Sequence, residues 1–283
     1  MKRILFYLLV PVFGMTACGD DSSKSTDPIV AGDSATTATA PARIREENVS
    51  YKDDTTTLNS FVAFDENSNA KRPAVLIVSE WWGLNEYTKM RARQLAELGY
   101  VAMAVDFYGN GVIAGNPGDA MKFATPFYKN PALGKSRIDA ALAKLKSYSQ
   151  VDTSNIAAIG YCFGGSMVLN AAKLGENFKG VVSFHGGLAG VIPKKGLLKA
   201  SVLVCHGEAD SFVPKAEVDQ FKKSMDSVGA DLTFKSYPNA THAFTNPESD
   251  DNAKKFKMPI AYNAAADSAS FNDMKTFFAK IFK

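Results

Sequence analysis

Cysteine, histidine and tryptophan are all scarce in this 283-residue chain, which holds three, three and two of them. Three cysteines are too few to build a disulfide scaffold. The histidines, His185, His206 and His242, stand singly with no His-x-x-x-His spacing, so the sequence offers no metal site and implies no cofactor. Net charge is only +3 with both signs interspersed, and there is no basic stripe or arginine-rich arm. That excludes nucleic acid as an expected partner. No apolar run reaches the roughly 18 residues of a spanning helix, and no internal repeat is evident. What is present is 46% hydrophobic content, enough for the core of one large α/β domain.

The first residues differ from the rest. Lys2 and Arg3 precede an apolar stretch, residues 4–15, and Thr16-Ala17 stands before Cys18. Residues 1–17 therefore read as a secretory signal. A cysteine directly after a small residue resembles a bacterial lipobox, which would make Cys18 the lipidated start of the mature chain. Ordinary cleavage with an incidental Cys18 is the alternative. Residues 18–43 are rich in Ser, Thr, Asp, Ala and Gly and hold no aromatic residue, the composition of a flexible tether. The expected location is a bacterial cell envelope, with the membrane engaged by the N-terminal lipid only.

From residue 44 to 283, strand and helix patterns alternate. Residues 49–51 and 58–64 read as an antiparallel pair. Ala74-Val-Leu-Ile-Val-Ser79 is a continuous apolar strand, 85–98 is helical up to Gly99, and 100–105 is a strand closed by Asp106. A Gly/Pro-rich loop, 109–118, leads to helices at 119–128 and 131–149. The apolar run from Ile156 comes next, followed by a helix, strands at 180–184 and 202–205, a helix at 215–228, a strand at 232–237 and a last helix at 268–282. The pattern predicts an α/β fold: a mostly parallel twisted sheet of about eight strands with helices on both faces. Sites in such sheets lie beyond the strand C-termini. Glu80, Cys162, His185, His206 with Asp210, and His242 all fall there.

Among these, the stretch Gly160-Tyr-Cys-Phe-Gly164 has the layout of a nucleophile elbow, a sharp strand-to-helix turn with Cys162 in the reactive position. Glycines suit a turn in which chain segments approach too closely for side chains. A helix N-terminus beneath the turn favours a thiolate. The pentapeptide alone also fits a buried cysteine in a glycine-rich turn. A cysteine hydrolase further needs a base and an acid to orient it. In α/β-hydrolase chains the order is nucleophile, acid, histidine, and Cys162, Asp210 and His242 obey it, whereas His185 and His206 precede the acid. Glu208 is a rival acid earlier in the same turn. Cys205, inside an apolar strand, reads as a small core residue rather than a disulfide partner.

The stretches Ser79-Glu-Trp-Trp-Gly-Leu84, Val105-Asp-Phe-Tyr108, Gly160-Tyr-Cys-Phe-Gly-Gly165, His206-Gly-Glu-Ala-Asp210 and Thr241-His-Ala-Phe244 together resemble the dienelactone hydrolase family of α/β-hydrolases, over about residues 49–282. The resemblance implies a carboxylic ester or lactone hydrolase working through a thioester on Cys162. It implies that Glu80 takes the thiol proton when substrate binds, and that the Trp81 and Phe163 amides form the oxyanion hole. Trp81 and Trp82 are candidate pocket walls. Family members that act on dienelactone hold its carboxylate with arginines, one of them soon after the catalytic histidine. Here His242 is followed by Ala243-Phe244-Thr245-Asn246-Pro247, so the expected substrate is another small ester or lactone. The expected state is a monomer or weak dimer. A non-catalytic envelope ligand-binding protein and a thiol redox protein are the rival readings; the latter lacks a Cys-x-x-Cys pair.

Overall fold

The central strands are apolar on both faces, so their sheet has to be covered twice. The computed structural model describes residues 41–283. The expected signal, Cys18 and nearly all of the tether lie outside the described residues. In chain order the elements are β1 (Ile44–Asp53), β2 (Thr56–Asp65), β3 (Arg72–Val78), α1 (Glu86–Glu97), β4 (Val101–Val105), α2 (Pro117–Lys129), α3 (Pro131–Lys146) and β5 (Val151–Tyr161). They continue with α4 (Phe163–Lys173), β6 (Gly180–Phe184), β7 (Ser201–Gly207), α5 (Lys215–Ser227), β8 (Leu232–Tyr237), α6 (Ser249–Phe256) and α7 (Ala264–Ile281).

One eight-stranded sheet results, in the order β1-β2-β4-β3-β5-β6-β7-β8. β2 runs antiparallel to both β1 and β4, and every other pairing is parallel. Alternation along β3 sends Ala74, Leu76 and Val78 to one face and Val75 and Ile77 to the other. The first set packs with Ile138 and Leu142 of α3, Val168 of α4 and Phe221 of α5. The second packs with Leu95 of α1 and Met274, Phe277 and Phe278 of α7.

Register decides where the chemistry falls. Val78 lies opposite Gly160, Tyr161 opposite Phe184, and Phe184 opposite Cys205. Glu80, Cys162, His185 and His206 therefore leave four neighbouring strands at nearly the same height. The opening hairpin is longer than its sequence suggests, because the polar residues of β1 form a full ladder from Ile44–Asp65 to Asp53–Thr56. Helix α7 starts earlier than residue 268, where the Asn263 side chain accepts from the Ala266 N–H as an N-cap. Helix α6 has no counterpart in the sequence reading, since eight residues give too short a window for periodicity to register.

Candidate active site

The elbow is fixed by backbone. Cys162 sits at φ 51°, ψ −115°, in the left-handed half of conformational space that a side chain rarely occupies. A Cβ on Gly160 would lie 2.1 Å from the Gly164 carbonyl oxygen, and one on Gly164 would lie 2.2 Å from that of Val78, so neither position admits alanine unchanged. The Cys162 N–H donates to the Phe184 carbonyl at 2.9 Å and the Gly164 N–H to the Ser79 carbonyl at 3.0 Å. Strain at Cys162 is thus held by contacts with the ends of β3 and β6.

His242 reaches the same place from the loop that follows β8. Its Nδ1 lies 2.8 Å from Asp210 Oδ2, and the imidazole lines the same cavity as the Cys162 thiol. Burial alone would lower the basicity of this imidazole, but Cys162 and Asp210 together raise it well above the usual histidine range. Asp210 is held in turn by the Phe212 N–H at 2.9 Å. Glu208 is exposed and takes no part in this set.

Glu80 is 3% exposed, and burial pushes its carboxyl up to about 7, against the lowering effects of Asn246 and His242. The Asn246 side-chain amide donates to Oε2 at 2.7 Å, while among the described residues the buried Oε1 has no hydrogen-bond partner. Trp81 is steadied by the Tyr108 hydroxyl, which donates to its carbonyl at 2.9 Å. Among the described residues, no protein acceptor takes a hydrogen bond from the Trp81 or Phe163 amide.

Glu80, Cys162 and His242 line one cavity of about 220 Å³. Its walls are mostly apolar, including Trp81, Trp82, Met121, Tyr128, Phe212 and Ile260, and among the described residues no lysine or arginine lines it. Neither His185 nor His206 borders this space. His185 is buried behind the elbow, and His206 packs on Phe234 with ring centroids 5.7 Å apart. Cys205 is fully buried in β7, where burial pushes its thiol up to about 12. Among the described residues, no cluster of His, Cys, Asp and Glu is placed to hold a metal ion.

A model of the dienelactone hydrolase family matches residues 58–282. The chain belongs to that family. As a dienelactone hydrolase family member with the α/β-hydrolase fold, it is a hydrolase of the carboxylic ester and lactone class. A Methylorubrum extorquens protein named as a candidate carboxymethylenebutenolidase is 33% identical over 61% of this chain and 63% of its own length. An Aquifex aeolicus protein with the same name is 32% identical over 63% of this chain and 79% of its own length. A solved dienelactone hydrolase-like promiscuous phosphotriesterase from metagenomic libraries superposes with a TM-score of 0.78. It is 31% identical, over 84% of this chain and 98% of its own.

Sequence reasoning missed the polar residues that follow His242. Thr245, Asn246 and Ser249 are all buried, and each hydrogen-bonds a group near the site. A run of polar residues around buried Phe244 is the one local hint. The partners of Thr245 and Asn246 are remote in sequence, Glu80 being 166 residues from Asn246 and His185 60 from Thr245.

Proposed function

We propose that this protein hydrolyses small, uncharged carboxylic esters or lactones through a Cys162–His242–Asp210 triad. The carrying observation is that His242, bonded to the Asp210 carboxylate, shares one apolar cavity with Cys162. Cys162 Sγ attacks the substrate carbonyl, and the developing oxyanion is met by the Trp81 and Phe163 N–H groups. Collapse expels the alkoxide, which takes a proton from the His242 imidazolium and leaves a thioester on Cys162. His242 then draws a proton from water, whose oxygen attacks the thioester carbonyl. The acid departs, the thiolate and imidazolium are restored, and the thiolate recovers its proton from Glu80 as the site empties.

Glu80 supplies the resting-state control. A carboxyl pushed up to about 7 can accept the thiol proton near neutrality, which an ordinary glutamate does poorly. Among the described residues the cavity wall holds Glu80 and no lysine or arginine, which opposes substrates that carry a carboxylate. The metagenomic relative is named for phosphotriesters, which are uncharged esters as well. The proposal includes attachment to a bacterial envelope membrane through lipidated Cys18, for which labelling with a palmitate analogue, lost in Cys18→Ser, is the check.

Turnover of p-nitrophenyl acetate, butyrate and hemisuccinate by wild type and Cys162→Ala tests the catalytic reading. The neutral esters are expected to turn over and the anionic one to lag by about tenfold or more. Mass spectrometry of the quenched wild type should show an acyl group on the peptide that carries Cys162. Hydrolysis unchanged in Cys162→Ala would end the proposal.

A further inference from the structure

His185 is a buried imidazole that the chemistry above does not use, and both its ring nitrogens are engaged. The Cys162 backbone N–H donates to Nδ1 at 3.1 Å, besides its bond to the Phe184 carbonyl. Nε2 lies 2.7 Å from the Thr245 hydroxyl, three residues past His242. A backbone N–H can only donate, so Nδ1 carries the lone pair and Nε2 carries the proton and donates to Thr245.

We infer that His185 is a positioning residue, a neutral bridge that ties the elbow carrying Cys162 to the loop carrying His242 and so fixes the distance between nucleophile and base. This rests on the triad proposed above. Three further observations agree with it. The His185 and His242 rings meet edge to face at 5.3 Å, so the bridge also packs against the base itself. His185 shares the left-handed conformation of Cys162, at φ 42°, which persists only where the surroundings over-determine it. Thr245 is anchored on its far side, by a 2.6 Å bond between its hydroxyl and Tyr87 and by Arg91, whose Nη2 donates to the Thr245 carbonyl at 2.7 Å and pairs with Asp267 at 2.5 Å.

The bridge works only in one protonation state. A proton on Nδ1 would face the Cys162 N–H and break that arm. Burial, with His242 and Arg91 nearby, holds the His185 imidazole well below its ordinary range, so it stays neutral. The same wiring rules it out as a base, because no free lone pair faces the cavity.

Side-chain replacements can cut the two arms separately. In His185→Asn the amide oxygen can replace Nδ1 but cannot reach Thr245. In His185→Gln the amide can reach Thr245 but leaves the Cys162 N–H without its second acceptor. His185→Phe cuts both, and Thr245→Val removes the second arm with little change of shape. We expect kcat on a neutral p-nitrophenyl ester to fall by about tenfold to a hundredfold in His185→Phe, with KM within about twofold of wild type. The Asn, Gln and Thr245→Val variants should fall between. His185→Phe placed in Thr245→Val should cost less than its single effect predicts, because that arm is already cut.

The rate of Cys162 alkylation by iodoacetamide, followed by peptide mass spectrometry, should fall in parallel. It reads the thiol–imidazole contact without any ester substrate. A wild type that cleaves no ester but shows these alkylation changes would sink the hydrolase proposal and leave the bridge standing. A folded His185→Phe or Thr245→Val with wild-type kcat and alkylation rate would overturn the bridge, as would strictly additive losses in the double variant. Thr245→Val and His185→Gln decide the matter if His185→Phe does not fold.

Discussion

The nucleophile and its base are held by different means. Around Cys162, residues 156–166 are placed by backbone: a parallel ladder on both sides, amides pinned to Ser79 and Phe184, and glycines that admit no Cβ. Around His242, residues 238–263 join no strand of the sheet; beyond a bridge from His242 to Ile260 and backbone bonds from Ala209 to Ala240 and from Asn263 to Phe244, side chains tie them to the site. Asp210 holds the imidazole, Thr245 meets His185, Asn246 meets Glu80, and the Ser249 hydroxyl donates to the Ala243 carbonyl at 2.8 Å. A strained turn needs rigid support, whereas a base that passes protons both ways needs a support that can yield slightly. Breaking the first region should cost folding, and breaking the second should cost rate.

The largest effect is expected where the base region has its strongest tie. Asp210→Asn keeps the shape but removes the charge that orients His242 and stabilises its protonated form. We expect kcat/KM on a neutral ester to drop by roughly 10²- to 10⁴-fold, with the urea midpoint near wild type. A drop below tenfold would mean that the loop holds His242 without its acid. Next comes the elbow. The Cβ in Gly164→Ala would stand 2.2 Å from the Val78 carbonyl oxygen and 2.6 Å from that of Ser79, and the Val78 backbone is fixed in its ladders with β4 and β5. Destabilisation of about 3 kcal/mol, or failure to fold, is expected by urea titration. A variant as stable as wild type would show that the elbow tolerates more movement than its contacts allow.

These two regions also differ in how far they could be read from sequence. The elbow was legible because its constraints are local: an apolar strand, two glycines at fixed spacing and a helix start leave a pattern within ten residues. The sheet was legible for the same reason, each buried strand being a short continuous apolar run. The surroundings of His242 were not. Order along the chain pointed to Asp210 and His242, yet nothing near Asn246 announces Glu80 and nothing near Thr245 announces His185. Polar pairing of this kind depends on which strand ends the fold brings to one height. Helix α6 escaped as well, since its one fully buried residue, Ser249, is polar and leaves no apolar stripe.

Glu80 lies between the two regions, on the end of β3 but bonded to the loop through Asn246, and its carboxyl offers a test that depends on pH. Its folded-state value is raised from 4.5 to about 7 by burial. Between those limits the folded state binds more protons than the unfolded one, so this carboxyl lowers stability as pH rises from about 4.5 to 7. Glu80→Gln removes the titration. Relative to wild type the variant should gain stability on going from pH 4.5 to pH 8, by up to about 3 kcal/mol. An equal difference at the two pH values would place the carboxyl in water, and the loop's grip on it would then be no stronger than a surface contact.

The smallest effect should come from a single tie within the base region. Ser249→Ala deletes the hydroxyl that donates to the Ala243 carbonyl, next to His242 in the chain. One buried hydrogen bond of this kind is worth about 1 kcal/mol, and the carbonyl left behind adds its desolvation cost. Asp210, Thr245 and Asn246 still restrain the loop, so the loss is shared. We expect destabilisation of about 1 to 2 kcal/mol and a fall in kcat of less than about threefold. A fall matching that of Asp210→Asn would mean that Ser249 holds the base almost unaided. The loop would then be as brittle as the elbow, and the division between a backbone-fixed nucleophile and a side-chain-fixed base would fail.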